Sequence, residues 1–262
     1  MQTITVNDIT MAYTDQGSGE PVVLLHGLGS CKEDWEEQIA ALAAHYRVIA
    51  PDLRGHGQTS KPKKGYSIKQ FAEDIRAFAD VLPLNQFHLI GFSLGGMISQ
   101  QFASTYPQRL KSVVIINATP SVIINNWPLR KMFWGRLLTI RLMGVKRMAK
   151  AIAQANFPTE DKAALRQKLE QQFASNDKSA YYRSTRAIMN WDVRPQLTQI
   201  SCPLLAISSD MDYTPVSLKQ TDLVEAVPQG QLQVINNARH LLPMEQPQQL
   251  NQALLDWLQQ WS

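Results

Sequence analysis

FHLIGFSLGGMISQQ, residues 87–101, is the stretch on which the reading of this chain turns. An apolar run rich in β-formers, Phe87 to Ile90, meets Gly91-Phe92-Ser93-Leu94-Gly95-Gly96, and a helix-compatible pattern follows at once. A strand is therefore expected to end at Ser93 and a helix to start behind it, the strand–turn–helix of a nucleophile elbow. So tight a turn strains the backbone, and Gly91, Gly95 and Gly96 stand where side chains would collide with the neighbouring strand and helix. Ser93 is pushed out at a helix N-terminus, whose free N–H groups favour developing negative charge.

Outward from the elbow, strands alternate with helices. Residues 3–6 and 9–13 alternate apolar and polar around Asn7-Asp8, as a hairpin with one wet face does. Residues 21–25, 46–50, 112–116, 203–208 and 231–235 are continuous apolar runs of the kind buried on both faces of a parallel sheet. Helices are expected over 32–44, 66–81 with Ser67 as N-cap, 94–106, 217–227 and 247–261. The alternation stops after Pro120: 132–143, 145–155, 161–175 and 178–189 read as helices with no strand among them. The expected organisation is an α/β core of residues 1–120 and 196–262, with a mostly parallel sheet flanked by helices. A helical cap, residues 121–195, is inserted after the sixth strand.

The 262 residues, 44% hydrophobic and 18% charged, suffice for one large domain with such an insertion. The N-terminus lacks a basic, then apolar, secretory pattern and no run reaches membrane-spanning length, so a soluble, cytoplasmic protein is expected. Cys31 and Cys202 have no metal-binding company and read as plain thiols. The formal net charge of +4 is unevenly spread: no Asp or Glu occurs between Asp80 and Glu160. Arg130, Lys131, Arg136, Arg141, Lys146, Arg147 and Lys150 lie there among Trp127, Phe133, Trp134, Leu137, Leu138, Ile140, Leu142, Met143 and Met148. The expectation is that these apolar residues pack the cap onto the pocket and the cations are solvated. A membrane-surface helix, or a site for acidic or lipid-like esters, is the alternative. The basic surface is too narrow for a nucleic-acid role. Trp35, Trp127, Trp134 and Trp191 fit an apolar acyl pocket and cap core equally well.

A serine hydroxyl needs a base, usually histidine, itself oriented by a carboxylate. His240 follows the last strand on a loop before the final helix, the right end of the sheet. His45 precedes its strand, His88 lies inside one, and His26 and His56 belong to glycine-rich loops. The loop after residues 203–208 offers Asp210 and Asp212; Asp212, further out, is preferred and Asp210 competes, the acid not used being left to cap the following helix. The order Ser, Asp, His is then that of an elbow-type triad. Oxyanion donors are expected from the backbone N–H of Leu94 and of Leu28, in the loop His26-Gly27-Leu28-Gly29.

The segments HGLG (26–29), PDLRGHGQT (51–59), GFSLGG (91–96), SDMDYTP (209–215) and ARHLLPMEQP (238–247) together resemble the successive signatures of the α/β-hydrolase superfamily. The resemblance covers nearly all of the chain outside the cap and implies that fold. Counted from Pro203, it puts the acid at Asp212, although only two residues separate Asp212 from Pro215, one fewer than is common. Small capped relatives of this kind include carboxylesterases, enol-lactonases of the 3-oxoadipate type, carbon–carbon bond hydrolases and cofactor-free perhydrolases. A haloalkane dehalogenase would carry Asp in place of Ser93. The resemblance implies a serine hydrolase for a carboxylic ester of a small to medium, largely apolar acid, using Ser93, Asp212 and His240 and neither metal nor organic cofactor. A lactonase or carbon–carbon hydrolase with the same triad is the nearest alternative, and a small-molecule receptor on the same fold the more distant one.

Overall fold

The computed structural model describes residues 2–125 and 127–262, apart from the side chains of Pro128, Leu129 and Gln220. The chain opens with the expected hairpin, β1 (Gln2–Val6) and β2 (Ile9–Gln16), closed by Asn7 at φ 49°. Asparagine tolerates that left-handed turn conformation. β3 (Pro21–Leu25), α1 (Glu36–Leu42), β4 (Arg47–Pro51), α2 (Ile68–Val81), β5 (Phe87–Phe92), α3 (Leu94–Thr105) and β6 (Leu110–Ile116) follow. Ser67 caps α2 as expected, accepting from the Gln70 N–H. The helix expected from residue 32 begins as a 3₁₀ turn, Lys32–Trp35, and becomes α-helical only at Glu36.

Between β6 and β7 (Leu204–Ser209) lie α4 (Trp127–Asn156), α5 (Ala163–Ala174) and α6 (Lys178–Ile188). The expected break between two helices near residue 144 is a kink in α4, where Gly144 takes φ 79° and ψ 175°. The chain leaves and re-enters the core through a narrow neck. Val122 N–H donates to Trp191 O, Asn190 N–H to Val122 O and Val193 N–H to Pro120 O. The chain closes with α7 (Val216–Lys219), β8 (Gly230–Ile235), α8 (Leu242–Glu245) and α9 (Pro247–Trp261).

The eight strands form one sheet in the order β1-β2-β4-β3-β5-β6-β7-β8, antiparallel at β1–β2 and β2–β4 and parallel elsewhere. Strand alternation sends Val23, Leu25, Leu89, Val113 and Ile115 into one layer with α2 and α3, whose Phe71, Ile75, Phe78 and Phe102 are buried. Val22, Leu24, Ile90, Val114 and Ile116 meet Trp35, Ile39, Leu254 and Trp257 on the other face. Burying each such side chain contributes about 1.5–3 kcal/mol, which is why the central strands read as unbroken apolar runs. Two expectations fail at the far edge. β8 is mostly open to solvent rather than buried, because nothing pairs beyond it, and the helix expected over 217–227 stops as α7 and a π-turn, Gln220–Val224.

Arg54, in the loop after β4, is 1% exposed. Its Nε and Nη2 donate to both carboxylate oxygens of Asp74 on α2 at 2.6 and 2.8 Å, and Nη2 and Nη1 reach Asp8 in the hairpin turn at 2.5 and 3.1 Å. Asp74 is as deeply buried as Arg54, whereas the Asp8 side chain is 62% exposed. Removing one partner of a buried pair strands the other charge. Asp74→Ala is expected to destabilise the protein by about 3–5 kcal/mol in urea unfolding, and Asp8→Ala by about 1 kcal/mol or less.

Candidate active site

β5 lies between β3 and β6, and the residue at its end, Ser93, takes φ 53° and ψ −111°, a strained conformation for a side-chain-bearing residue. Its N–H donates to Ile116 O at 2.9 Å and its carbonyl accepts from Met97 N–H at 3.0 Å, so sheet and helix both hold it. Two glycines make this possible. A Cβ on Gly91 would sit 2.3 Å from Gly95 O, and one on Gly95 would sit 2.0 Å from Leu25 O. The first turn of α3 thus presses directly on the end of β3. The loop after β3 crosses the serine just as closely: a Cβ on Gly27 would lie 2.9 Å from the Phe92 ring and 3.5 Å from Ser93 Cβ. Leu28 is the next residue of this loop, and Leu94 is the first residue of α3, directly after Ser93.

His240 stands opposite. Its Nε2 is 3.0 Å from Ser93 Oγ and its Nδ1 is 2.8 Å from Asp212 Oδ1. A carboxylate only accepts, so the Nδ1 carries the proton and Nε2 presents its lone pair to the serine. Of the two candidate acids, Asp212 is the one brought to the imidazole. Asp210 is exposed and accepts the Ala238 N–H, which steadies the His240 loop rather than capping the helix that follows. Asn117, at the end of β6, holds the same loop from the other side: its Nδ2 donates to His240 O and Ser209 Oγ, and its Oδ1 accepts from Ser209 N–H.

The other candidate histidines are locked into structure. His26 Nδ1 donates to Gly27 O at 2.8 Å while Nε2 accepts the Leu53 N–H at 3.0 Å, and burial pushes the imidazole down to about 4. His56 packs against it edge-on and is pushed down to about 3, chiefly by burial. Both are neutral spacers that fix the two glycine-rich loops. Cys31 lies near Glu33 and Asp52, but the Lys32 ammonium already binds these carboxylates, at 2.6 and 3.1 Å. Trp35 and Trp191 are core, the latter donating to Gln101 Oε1, while Trp127 and Trp134 are exposed.

Two residues at the site carry no signal in the linear sequence, and a third is one of the cations for which the sequence leaves a site for acidic esters as the alternative. Lys219, 1% exposed on α7, donates to Asp212 Oδ2 at 2.8 Å, Ser208 Oγ at 3.0 Å and Thr214 O at 2.9 Å. Burial raises the Asp212 carboxyl, but His240 and Lys219 more than offset this and leave it below the ordinary carboxylate range. Tyr213 places its hydroxyl 3.2 Å from His240 Nε2 with the rings 4.4 Å apart, so two hydroxyls converge on one lone pair. Tyr213 is otherwise 75% exposed. The third, Arg136 on α4, donates from Nη2 to the Tyr181 hydroxyl. Tyr181 in turn lies over the loop after β3, where a Cβ on Gly29 would meet its ring at 2.7 Å.

The ammonium of Lys219 shares the Asp212 carboxylate with His240, and the side chains of the Lys219–Asp212 pair are both buried. Replacing Lys219 by Met, of similar length and no charge, strands the buried carboxylate and is expected to destabilise the protein by about 3–5 kcal/mol in urea unfolding.

The profile of the family described as alpha/beta hydrolase fold matches residues 20–186. The chain is 30% identical to 3-oxoadipate enol-lactonase 2 of Acinetobacter baylyi over 96% of its length and 94% of that protein. Among solved structures, the enol-lactonase from Burkholderia xenovorans LB400 superposes with a TM-score of 0.90 at 25% identity, covering 98% of this chain and 100% of that one. A thermophilic esterase from Thermogutta terrifontis, with malate bound, gives 0.89 at 26% identity and 99% coverage of both. With the sheet order and the strained serine described above, these similarities establish that the chain belongs to the α/β-hydrolase family and is a hydrolase.

Proposed function

We propose that this hydrolase cleaves a carboxylic ester of a small to medium, largely apolar acid through an acyl-enzyme on Ser93. The observation that carries the reading is the unbroken line Asp212–His240–Ser93, with contacts of 2.8 and 3.0 Å. Ser93 Oγ attacks the carbonyl carbon as its proton passes to His240 Nε2. Asp212 orients the imidazole and stabilises its positive form. The Leu28 and Leu94 N–H groups hold the oxyanion. Collapse of the tetrahedral adduct breaks the ester C–O bond, and the departing alkoxide takes the proton from Nε2. Water then enters by the same route in reverse and releases the acid, regenerating Ser93. Tyr213 has to yield its place at Nε2 for the leaving group to be protonated.

A second reading, hydrolysis of lactones or esters that themselves carry a carboxylate, is favoured by Arg136. Its Nε is closed to solvent with no hydrogen-bond partner, and among the described residues no carboxylate pairs with it. With Nη2 turned to the Tyr181 hydroxyl, the remaining donors of the guanidinium suit a carboxylate. The reading also accords with the enol-lactonase relative.

Fluorophosphonate labelling and turnover of a p-nitrophenyl ester series test the first reading. Labelling is expected to vanish in Ser93→Ala, kcat to fall on the order of 10⁴-fold in Asp212→Asn, and Asp210→Asn to cost about tenfold or less. Folded protein that neither labels nor turns over would redirect attention to the receptor alternative. For the second reading, Arg136→Met is expected to lower kcat/KM by about 30-fold or more for a carboxylate-bearing ester, with a neutral ester little changed. Equal loss on both esters would remove Arg136 from substrate recognition.

A further inference from the structure

The expectation that the apolar residues of α4 pack inward holds for only one of its faces. Phe133, Leu137 and Ile140 are buried, but Trp127, Trp134, Leu138, Leu142 and Met143 are exposed, Trp127 by 75% and Leu142 by 72%. Trp127, Trp134, Leu138 and Leu142 are spaced by seven, four and four residues and so share one side of the helix, opposite the buried stripe. Gly135 lies at the margin of that side, and a Cβ there would meet nothing within 4 Å. Arg130, Lys131 and Arg141 are exposed on or beside the same stripe, and Lys146, Arg147 and Lys150 continue the cationic surface past the Gly144 kink. None of these six forms an ion pair among the described residues, and α4 itself contains no Asp or Glu.

A patch of large apolar side chains on a helix already packed on its other face marks an interaction surface. The occupant is indicated by charge. A second copy of this face would bring two unneutralised cationic bands together, whereas an anionic lipid surface complements the band and accepts the Trp and Leu side chains. No described helix is long and apolar enough to cross a membrane, so α4 is suited to lie along a bilayer rather than to span it. We propose that the outer face of α4 docks the cap on an anionic lipid bilayer, with Trp127, Trp134, Leu138 and Leu142 entering the interface and the flanking Lys and Arg side chains meeting lipid phosphates. The proposal is independent of the catalytic reading, since it uses the side of α4 turned away from Tyr181.

Co-sedimentation with vesicles tests it, comparing phosphatidylcholine alone with an equal mixture of phosphatidylcholine and phosphatidylglycerol at low and high salt. The protein is expected to sediment with the anionic vesicles, with an affinity that falls as salt rises. Trp134→Ser with Leu142→Ser, and separately Lys131→Glu with Arg141→Glu, are each expected to weaken binding by about tenfold or more, since one cation at an anionic surface is worth about fivefold. Ser93→Ala is expected to bind as the parent does, and the surface variants to label with fluorophosphonate as the parent does. Absence of binding to anionic vesicles overturns the proposal, as does binding unchanged in both double variants. A dimer in sedimentation velocity that both double variants dissolve, without vesicle binding, assigns the face to a second copy instead.

Discussion

The close approach of α3 to the end of β3 is the constraint on which the site depends. With no side chain at Gly95 or Gly91, the helix can begin against the strand, and Ser93 is left at φ 53° with its hydroxyl directed out of the turn. Such a backbone conformation costs on the order of 1–3 kcal/mol and persists only because sheet and helix hydrogen bonds hold it on both sides. The same closeness brings Gly27 over the serine. The position of Ser93 and the approach of the loop after β3 are thus consequences of one packing arrangement, supported by central strands buried on both faces.

Around this frame the charges are arranged in pairs that exclude water from one end and leave the other open. The Asp212 side chain is fully buried between Lys219 and His240, while the His240 side chain is 11% exposed and lies against Tyr213. One carboxylate thus serves an ammonium on α7 and an imidazole on the loop after β8, and its position is tied to the packing of both. Breaking the buried pair from either side would leave an uncompensated charge, which links the stability of this corner to its electrostatics.

The sequence made the sheet legible because parallel strands buried on both faces are unbroken apolar runs, and the elbow legible because glycine spacing there has a steric reason. It was misleading at β8, where a similar run lies at an edge, since an apolar run does not reveal how many neighbours a strand has. The loop order placed Ser93, Asp212 and His240 at one end of the sheet, where their side chains meet, and which of Asp212 and Asp210 reaches the imidazole depends on the direction of each side chain. Lys219 was not legible at all, and Arg136 only as one member of a run of cations. A lone cation on a short helix, or one of many on a long helix, gives no periodic signal of what it faces. The α4 pattern showed that the helix is apolar on more than one side, and only tertiary packing shows which side the core covers.

The neck between residues 120–122 and 190–193 bears on how such a protein diversifies. The helical segment starts and ends at residues joined by backbone hydrogen bonds and an isolated bridge between Ser121 and Asp192, whose formation does not depend on the side chains of α4 to α6. Its outer faces are therefore free to vary while β6 and β7 keep their register. Its inner face is not, because Asn176 and Tyr181 touch the Gly29 loop, so variation on the two sides of one helical layer is under different constraint.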